Sequence, residues 1–267
     1  FAADLRTSVV LSPLSSFMSA SQHFDGRTLS YGLLGSVSAV PAGHSLEVVL
    51  TLSRGVNEAM LAWGDILLAY HGKRRGAAWE ADPTLQRLGY CPQNGAYYYH
   101  NLPKSFDSYE EAIVAVAEDA NRTGLPFKWW LADSWWYRQA PPPKGVPRGG
   151  VVEWEPLRAV FPHGLEAVLA RTGWQVQGHA RYWSAETVYS RENGGAFEFL
   201  TDANGFALPV NEAFWEALFE RGRRQWGLAV FEQDWLNFQT ERFPPLLRNA
   251  TLGRQWMVQM GRAARKQ

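Results

Sequence analysis

From about residue 86 onward, the sequence repeats a single unit, in which a strand-like apolar run is followed by a loop and a helix-like run. Alternation of this kind is typical of a parallel sheet, because consecutive parallel strands must be joined by a long crossover that is usually a helix. The crossovers are expected to be right-handed. Residues 86–267 are therefore predicted to belong to the α/β fold class.

Four such units can be read from the sequence. The predicted strands are residues 87–100, 126–137, 174–184 and 226–236, and the predicted helices are residues 108–124, 164–173, 211–225 and 246–265. The first helix has clear termini, since Ser108 and Glu111 form a capping box and Gly124 fits the last position. A full barrel of the TIM type has eight units, so the pattern supplies half that number.

The loops that follow the predicted strands are long, whereas the turns from helix to strand are short. Residues 138–156, for example, lie between the second strand and its helix. This asymmetry is typical of a TIM-type barrel, whose active site is built from the loops after its strands. A doubly wound sheet would alternate in the same way, but no Gly-rich phosphate loop opens the first helix, so a dinucleotide site is not expected.

Residues 1–85 have a different pattern, with short β-rich runs ahead of one helix. The β-rich runs are residues 7–12, 28–37 and 45–53. Residues 55–73 then show a helical stripe of apolar side chains that ends near Gly72. The first residue is Phe and no signal-peptide pattern follows it, so we expect the chain to begin inside a longer protein.

Composition argues against several classes of partner. The formal net charge is zero, with 26 basic and 26 acidic residues, and there is no basic stripe of the kind that binds nucleic acid. No apolar run reaches the roughly 20 residues that span a membrane. The single cysteine, Cys91, excludes an internal disulfide but leaves the cellular compartment open.

Ionisable side chains stand near the ends of three predicted strands. They are Asp133 on the second strand, His179 and Arg181 on the third, and Glu232 and Asp234 on the fourth. Residues two apart on a strand face the same way, and the strand ends of a parallel barrel converge on one pocket. We therefore expect these five residues to share one polar site.

Some of these residues also have an ordinary structural explanation. An aspartate at a strand end, such as Asp133, often caps the next turn or helix, and a lone His179 is more often a hydrogen-bonded core residue than a catalyst. The pair Glu232 and Asp234 is harder to explain in this way, because like charges on one face repel unless a cation pairs with them. Arg181 is the expected partner, and the carboxylate pair is interpreted as functional.

The chain contains 13 tryptophans, which bury much area and could simply form a bulky core. Several of them stand beside carboxylates in the sequence, however, and flat aromatic faces next to polar groups suit sugar rings. Trp135, Trp183 and Trp235 are therefore expected to shape a sugar site.

Two other kinds of chemistry are not expected. His, Asp and Glu side chains could hold a metal ion, but the sequence has no HExxH motif, no paired-histidine spacing and no cysteine cluster. It also has no GxSxG elbow for a serine nucleophile. The sequence therefore predicts neither a metal nor a cofactor.

The segments LADSWWY (131–137) and EQD (232–234), in their order along the strands, resemble the alpha-galactosidase and raffinose-synthase group of glycoside hydrolases. The resemblance implies a TIM-type barrel that follows, in the larger members, a β-sandwich domain and a helical linker. It divides the chain into the end of a sandwich (1–53), a linker (54–85) and the first half of a (β/α)8 catalytic barrel (86–267).

The resemblance also implies roles for individual residues. Asp133 matches an aspartate that holds sugar hydroxyls, and Asp234 matches the nucleophile at the end of the fourth strand. Glu232 stands where that group has a lysine, and Ser134 and Trp136 depart from its commoner Asp-Gly pattern, so the sugar is left open. The group's general acid lies on a sixth strand, beyond the four units of this sequence.

These features predict a retaining glycoside hydrolase, or a fragment of one, that acts on an α-linked sugar through Asp234. Because the two carboxyl groups of a retaining enzyme flank the sugar, Glu232 is expected to bind substrate or Arg181 rather than to act as the acid. The other residues predicted to bind substrate are Asp133, Trp135, His179, Arg181, Trp183 and Trp235. The alternative is a non-catalytic carbohydrate-binding or scaffold fragment that lacks the acid. In either case the open edges of an incomplete sheet would favour association with another chain.

Overall fold

The computed structural model describes residues 6–74, 76–92, 102 and 104–267. The chain is a mixed α/β protein that divides into two compact units. One unit comprises the described residues up to Glu80 together with Pro245–Gln255, and the other comprises Ala81–Pro244 with Trp256–Gln267. Among the described residues, no helix combines the length and the apolar character that crossing a bilayer requires.

The strands and helices are numbered in chain order. The strands are β1 (Thr7–Pro13), β2 (Ala20–Phe24), β3 (Leu29–Leu33), β4 (Val48–Arg54), β5 (Leu88–Tyr90), β6 (Phe127–Ala132), β7 (Arg138–Gln139), β8 (Val151–Glu153), β9 (Gln175–Ala180), β10 (Trp183–Ser184), β11 (Phe199–Thr201), β12 (Phe206–Pro209) and β13 (Leu228–Gln233). The helices are α1 (Gly55–Tyr70), α2 (Ala77–Glu80), α3 (Pro83–Gln86), α4 (Tyr109–Thr123), α5 (Leu165–Thr172), α6 (Glu212–Trp226), α7 (Leu236–Arg242), α8 (Pro244–Arg248) and α9 (Leu252–Arg265).

The first unit contains two antiparallel strand pairs and helix α1. Strand β1 pairs with β4, and β2 pairs with β3. The β2–β3 turn is held by Asp25, whose side chain accepts hydrogen bonds from the backbone N–H groups of Arg27 (2.8 Å) and Thr28 (2.7 Å). The predicted β-rich runs and the predicted helix are confirmed as elements, while the sandwich to which they were assigned remains a prediction.

The second unit is built on a four-stranded sheet in the order β13-β9-β6-β5, in which every pair of neighbours is parallel. Neighbours in this sheet are also consecutive units of the predicted strand–helix repeat, so the repeat itself is confirmed. The sheet is open, since no further described strand pairs with the outer edge of β5 or β13. Residues 93–100 of the predicted first strand lie outside the described residues.

Helix α4 shows how the local sequence sets an element. The Ser108 hydroxyl accepts a hydrogen bond from the backbone N–H of Glu111 (3.2 Å) at the start of the helix, as the capping box predicts. Gly124 ends the helix in the left-handed region, with φ 75°, where a residue without Cβ is favoured. Ala112, Ile113 and other small apolar residues of α4 are buried, so the helix packs closely within the unit.

A cluster of tryptophans fills the space against one face of the sheet. The ring of Trp154 packs against Trp136 and Trp226, with centroids 5.0 and 5.3 Å away. Gly178 in β9 allows this approach, because a Cβ there would lie only 2.7 Å from the Trp154 ring. The Trp154 indole N–H donates to the carbonyl of His179 (2.9 Å). Much of the tryptophan content therefore serves the core.

Two predictions of secondary structure outside the main strands are wrong. The regions predicted as long loops contain four strands of a second, five-stranded sheet in the order β11-β12-β10-β8-β7, and its remaining strand, β10, lies at the end of the predicted strand 174–184. Strands of two to four residues are too short to show the alternation on which strand prediction depends. The predicted helix 246–265 is also two helices, because the Asn249 side chain accepts backbone hydrogen bonds from Thr251 (2.9 Å) and Leu252 (3.1 Å) and so caps α9 separately.

Candidate active site

The register of the parallel sheet brings three strand ends to the same edge. Ala132 of β6 is level with Gly178 of β9, and Gln233 of β13 is level with Ala180. The N–H of Asp234 continues the ladder by donating to the Ala180 carbonyl (2.8 Å). Active sites of parallel α/β sheets lie at this carboxyl edge, and the residues predicted to stand at the strand ends all lie there. Asp133, His179, Arg181, Glu232 and Asp234 are called the edge cluster below.

Asp234 is the most accessible carboxylate of the edge cluster, with a side chain that is 48% exposed. Its Oδ2 lies 3.1 Å from Nε2 of His179, and its Oδ1 accepts the backbone N–H of Trp235 (2.6 Å). The hydrogen bond from His179 is the main cause that lowers the pKa of Asp234. The Trp235 N–H and the charge of Arg181 act in the same direction, against the opposing effect of burial. Asp234 is therefore ionised at neutral pH.

Glu232 lies beside His179 in the sheet register and is partly exposed. Its Oε2 accepts a hydrogen bond from the side-chain amide of Gln177 (2.6 Å), one strand away. Gln177 precedes His179 by two residues and so belongs to the same face of β9. Gln177 is not among the predicted site residues, although the alternation Gln177, His179, Arg181 is the signal that could have identified it.

Arg181 is not the partner of the carboxylate pair, contrary to the prediction. Its guanidinium donates instead to the Ser134 hydroxyl and to the Gln139 side-chain oxygen, both at 2.6 Å, with a longer contact of 3.5 Å to the Gly149 carbonyl. Ser134 lies in the loop after β6, and Gln139 lies in the short strand β7. Arg181 is 1% exposed, so it is a buried cation whose hydrogen-bond partners, among the described residues, are all neutral.

Trp235 covers the guanidinium of Arg181, at 4.7 Å from the ring centroid, and stacks on Phe238 at 5.0 Å. The side chain of Trp235 is partly exposed. Its backbone is left-handed, with φ 60° and ψ 29°, a conformation that few residues other than glycine adopt. This conformation directs the Trp235 N–H back to the Asp234 carboxylate.

His179 is buried, at 2% exposure, and its ring is held from both sides. Nδ1 lies 3.2 Å from the Tyr137 hydroxyl, and Nε2 lies 3.1 Å from Asp234. The same hydroxyl of Tyr137 accepts the backbone N–H of Arg181 (3.1 Å). Burial holds the pKa of Tyr137 well above its usual range, so the phenol keeps its proton. Nothing in the sequence around Tyr137 signalled this role.

Five of the seven residues predicted to bind substrate are buried and so do not face a substrate: Asp133, Trp135, His179, Arg181 and Trp183. Asp133 is 4% exposed, and its carboxylate accepts the backbone N–H of Ser134. Trp135 is buried between Tyr109 and Phe161, with ring centroids 4.2 and 6.0 Å away. The expectation that Trp135 presents its face to a sugar is corrected, because that face is used in the core.

The expectation that Trp183 shapes a sugar site is wrong for the same reason. It is completely buried, and its ring makes edge contacts with those of Phe214 (4.9 Å), Tyr189 (5.8 Å) and Trp215 (6.1 Å). Of the three tryptophans expected at the site, Trp235 alone lies against an edge-cluster residue with part of its ring exposed.

Three members of the edge cluster could also chelate a cation. One donor atom each from His179, Glu232 and Asp234 lies within 4.8 Å of the others. A set of one imidazole and two carboxylates suits divalent metals such as zinc or manganese. Whether His179 can bind a metal depends on which ring nitrogen carries its proton.

No protein-family model matches the sequence, and no curated protein matches it. The structure has weak similarity to some solved glycoside hydrolases. A candidate alpha-galactosidase/melibiase from Bacteroides fragilis is 13% identical, with a TM-score of 0.36, and a second candidate alpha-galactosidase from that organism is 14% identical, with a TM-score of 0.37. A xylosidase from Aspergillus niger is 12% identical, with a TM-score of 0.30.

The chain spans about half of the two Bacteroides structures: each match covers 98% of this chain and 47% of the other. The match to the xylosidase covers 47% of this chain and 19% of that enzyme. At these identities and TM-scores, the similarities assign no family and no reaction to this chain.

Proposed function

We propose that this chain is a glycoside hydrolase, or a part of one, that cleaves an α-linked sugar with retention of configuration and uses Asp234 as the nucleophile. In this proposal the open sheet is the first half of a TIM-type barrel. The edge cluster then lies at the end of the barrel where active sites of that fold are found.

The observation that carries the proposal is the state of Asp234. A carboxylate nucleophile must be ionised, must be reachable by substrate and must be held in a fixed orientation. Asp234 is about half exposed, is hydrogen-bonded at both oxygens and has a lowered pKa. No other carboxylate of the edge cluster combines these properties, since Asp133 is buried and Glu232 has no backbone donor among the described residues.

The neighbours of Asp234 suit the recognition of a sugar. Glu232 and Gln177 present a carboxylate and an amide on the same partly exposed face of the sheet, and both groups can bind hydroxyls. The partly exposed ring of Trp235 offers an apolar face beside the carboxylate of Asp234. We assign these three residues to substrate binding and Asp133, His179 and Arg181 to the support of the site.

The general acid is proposed to come from outside this set. Retaining enzymes place their two carboxyl groups about 5–5.5 Å apart on opposite sides of the scissile bond. Glu232 and Asp234 project from the same face of one strand end, so they approach a sugar from the same side. Glu232 is therefore assigned to recognition, as the sequence also predicted.

A second candidate function is a non-catalytic carbohydrate-binding or scaffold module. The observation that favours it is the placement of Glu232, because this near neighbour of Asp234 is poorly placed to protonate a leaving group. An activated substrate separates the two functions, since a good leaving group needs little help from an acid.

Mechanism-based labelling is the direct test. The full chain is incubated with activated α-configured fluorosugars that trap a glycosyl-enzyme, and the labelled peptide is identified by mass spectrometry. We expect the label on Asp234 and none in the Asp234→Asn variant. A label on Glu232 or Asp133 would overturn the assignment, and sugar binding without any label across a panel of sugars would favour the binding module.

A further inference from the structure

We infer that Tyr137 is a positioning residue that acts through His179 on Asp234, by fixing His179 as the neutral tautomer that carries its proton on Nε2. The inference rests on the proposed function for its catalytic meaning. Its structural content is independent of that function, because it concerns the location of one proton in a buried chain of hydrogen bonds.

The hydroxyl of Tyr137 has two hydrogen-bond neighbours. This oxygen accepts the backbone N–H of Arg181 at 3.1 Å. Its own proton therefore needs an acceptor, and Nδ1 of His179, at 3.2 Å, is the one that the described residues supply. Tyr137 is 1% exposed, so solvent does not provide an alternative. A buried hydroxyl proton without an acceptor would be costly.

The donation by Tyr137 fixes the state of the imidazole. If Nδ1 accepts a proton, it carries a lone pair, and a neutral ring then has its proton on Nε2. Nε2 is the atom that lies 3.1 Å from Oδ2 of Asp234. The opposite tautomer would place two lone pairs against each other at Asp234, and a doubly protonated ring would leave the proton of Tyr137 without an acceptor.

The chain of donors therefore runs in one direction, from the Tyr137 O–H to His179 and from the His179 N–H to Asp234. It links the loop after β6 to the ends of β9 and β13. Tyr137 and His179 also lie with their rings nearly parallel, at 10° and 6.3 Å between centroids, so the two groups are held by packing as well as by hydrogen bonding.

For the proposed reaction, this arrangement holds one oxygen of the nucleophile in place. His179 binds Oδ2 and the Trp235 N–H binds Oδ1, so the carboxylate plane is fixed before a sugar arrives. Preorganisation of this kind lowers the barrier without contact between the positioning group and the substrate. It also leaves His179 Nε2 without a free lone pair for a metal ion.

The test is nitrogen NMR on the full chain with labelled histidine. The sequence has 6 histidines, and the signals of His179 are identified by their loss in His179→Gln. Long-range proton–nitrogen correlations then show which ring nitrogen is protonated. We expect Nε2–H with an unprotonated Nδ1 in the unmodified chain. An Nδ1–H tautomer or an imidazolium near neutral pH would overturn the inference.

Two tyrosine variants provide the matched comparison. Tyr137→Phe keeps the ring and removes the donor, and we expect the His179 signals to shift to a mixture of tautomers. Tyr182→Phe is the control, because Tyr182 is equally buried but donates to the Arg148 carbonyl (2.6 Å) instead of to a histidine. It should leave His179 unchanged. Equal spectra for Tyr137→Phe and the unmodified chain would contradict the inference.

Kinetics on an activated aryl glycoside supply the second readout. Loss of one hydrogen bond behind the nucleophile should lower kcat about tenfold in Tyr137→Phe, with KM nearly unchanged because no sugar contact is lost. If NMR shows the Nε2–H tautomer but the fluorosugar labels another residue, the proposed function is wrong and the role of Tyr137 in fixing the His179 tautomer is supported. If Asp234 is labelled but His179 carries its proton on Nδ1, the proposed function is supported and the role of Tyr137 is wrong.

Discussion

Asp234 and Glu155 are carboxylates of the same structural unit whose surroundings shift their pKa values in opposite directions. Asp234 is about half exposed and has two hydrogen-bond donors, and its pKa is lowered. Glu155 follows β8 and has a side chain that is 30% exposed, beside the guanidinium of Arg221. Burial raises the pKa of Glu155 to about 7, and the attraction of Arg221 offsets this effect only in part.

The difference shows that a neighbouring cation is not enough to keep a carboxylate ionised. Arg221 and Glu155 are in contact as an ion pair through Nη2 and Oε1, and Nε of Arg221 forms no hydrogen bond with any described residue. Arg221 also donates to the Tyr189 hydroxyl (3.2 Å). Asp234 reaches the opposite result through hydrogen bonds from His179 and a backbone N–H, because directed donors stabilise the anion where it stands.

The largest difference between the two carboxylates is expected in catalysis. Asp234→Asn keeps the shape and removes the nucleophile, so turnover of an activated aryl glycoside by the full chain should fall at least about 10³-fold. Glu155→Gln makes the equivalent change at the other carboxylate and should leave kcat within about twofold. A similar loss of kcat in the two variants would show that the opposite pKa shifts of Asp234 and Glu155 do not reflect different roles in catalysis.

The second difference concerns stability as a function of pH. A raised carboxyl pKa means that the folded chain binds the Glu155 proton more tightly than the unfolded chain, so the unfolding free energy falls as pH rises from about 4.5 to about 7. Above this window, ionised Glu155 costs about 2 kcal/mol, allowing for screening at its partly exposed side chain. Glu155→Gln should therefore be more stable than the unmodified chain at pH 8.

Denaturant unfolding at several pH values checks this expectation. At pH 4 the Glu155→Gln variant and the unmodified chain should have nearly equal unfolding free energies. The variant should become the more stable of the two as pH rises from about 4.5 to about 7. Asp234→Asn is the control, because the lowered pKa of Asp234 has the opposite sign and its removal cannot produce a gain at high pH. A constant difference between Glu155→Gln and the unmodified chain at all pH values would refute the raised pKa.

A third expectation concerns the two arginines that stand near these carboxylates. Arg181 donates to neutral groups and is fully buried, whereas Arg221 contacts a carboxylate and is 36% exposed in its side chain. Arg181→Met should cost about 2 kcal/mol, because Ser134 and Gln139 lose a charged donor in a buried place. Arg221→Met should cost less near pH 5, where Glu155 is protonated. Chemical denaturation at that pH compares the two variants, and a larger loss for Arg221→Met would contradict the difference in burial.

The sequence predicted the repeat of this unit better than it predicted the contacts of the site. The positions of Asp133, His179 and Asp234 at one edge follow from side-chain alternation and parallel pairing, which depend on local pattern. The partners of Arg181 could not be predicted, because the path of the chain from Ser134 to Gln139 is set by packing. Trp135 and Trp183 were misassigned because their neighbours in sequence are polar while their neighbours in space are aromatic.

The smallest effect is expected at Trp235, which distinguishes the surroundings of Asp234 from those of Glu155 at the level of the backbone. Trp235 adopts φ 60° without being glycine, a conformation that costs about 1 kcal/mol or more. The conformation places the Trp235 N–H on Asp234 (2.6 Å), and this hydrogen bond offsets the conformational cost. Glu155, in contrast, receives no backbone donor from any described residue.

Two truncations of Trp235 separate the backbone from the ring. Both Trp235→Ala and Trp235→Gly remove the ring that covers Arg181, so they lose the same cation–π contact, worth about 1 kcal/mol. They differ in the cost of the left-handed conformation, which glycine avoids. At an ordinary position glycine would be the less stable of the two, but here we expect Trp235→Gly to be more stable than Trp235→Ala by about 0.5–1 kcal/mol. Denaturant midpoints with equal m-values measure this difference. The reverse order would mean that the left-handed turn is not maintained in solution, and the backbone donor that sets Asp234 apart from Glu155 would be lost with it.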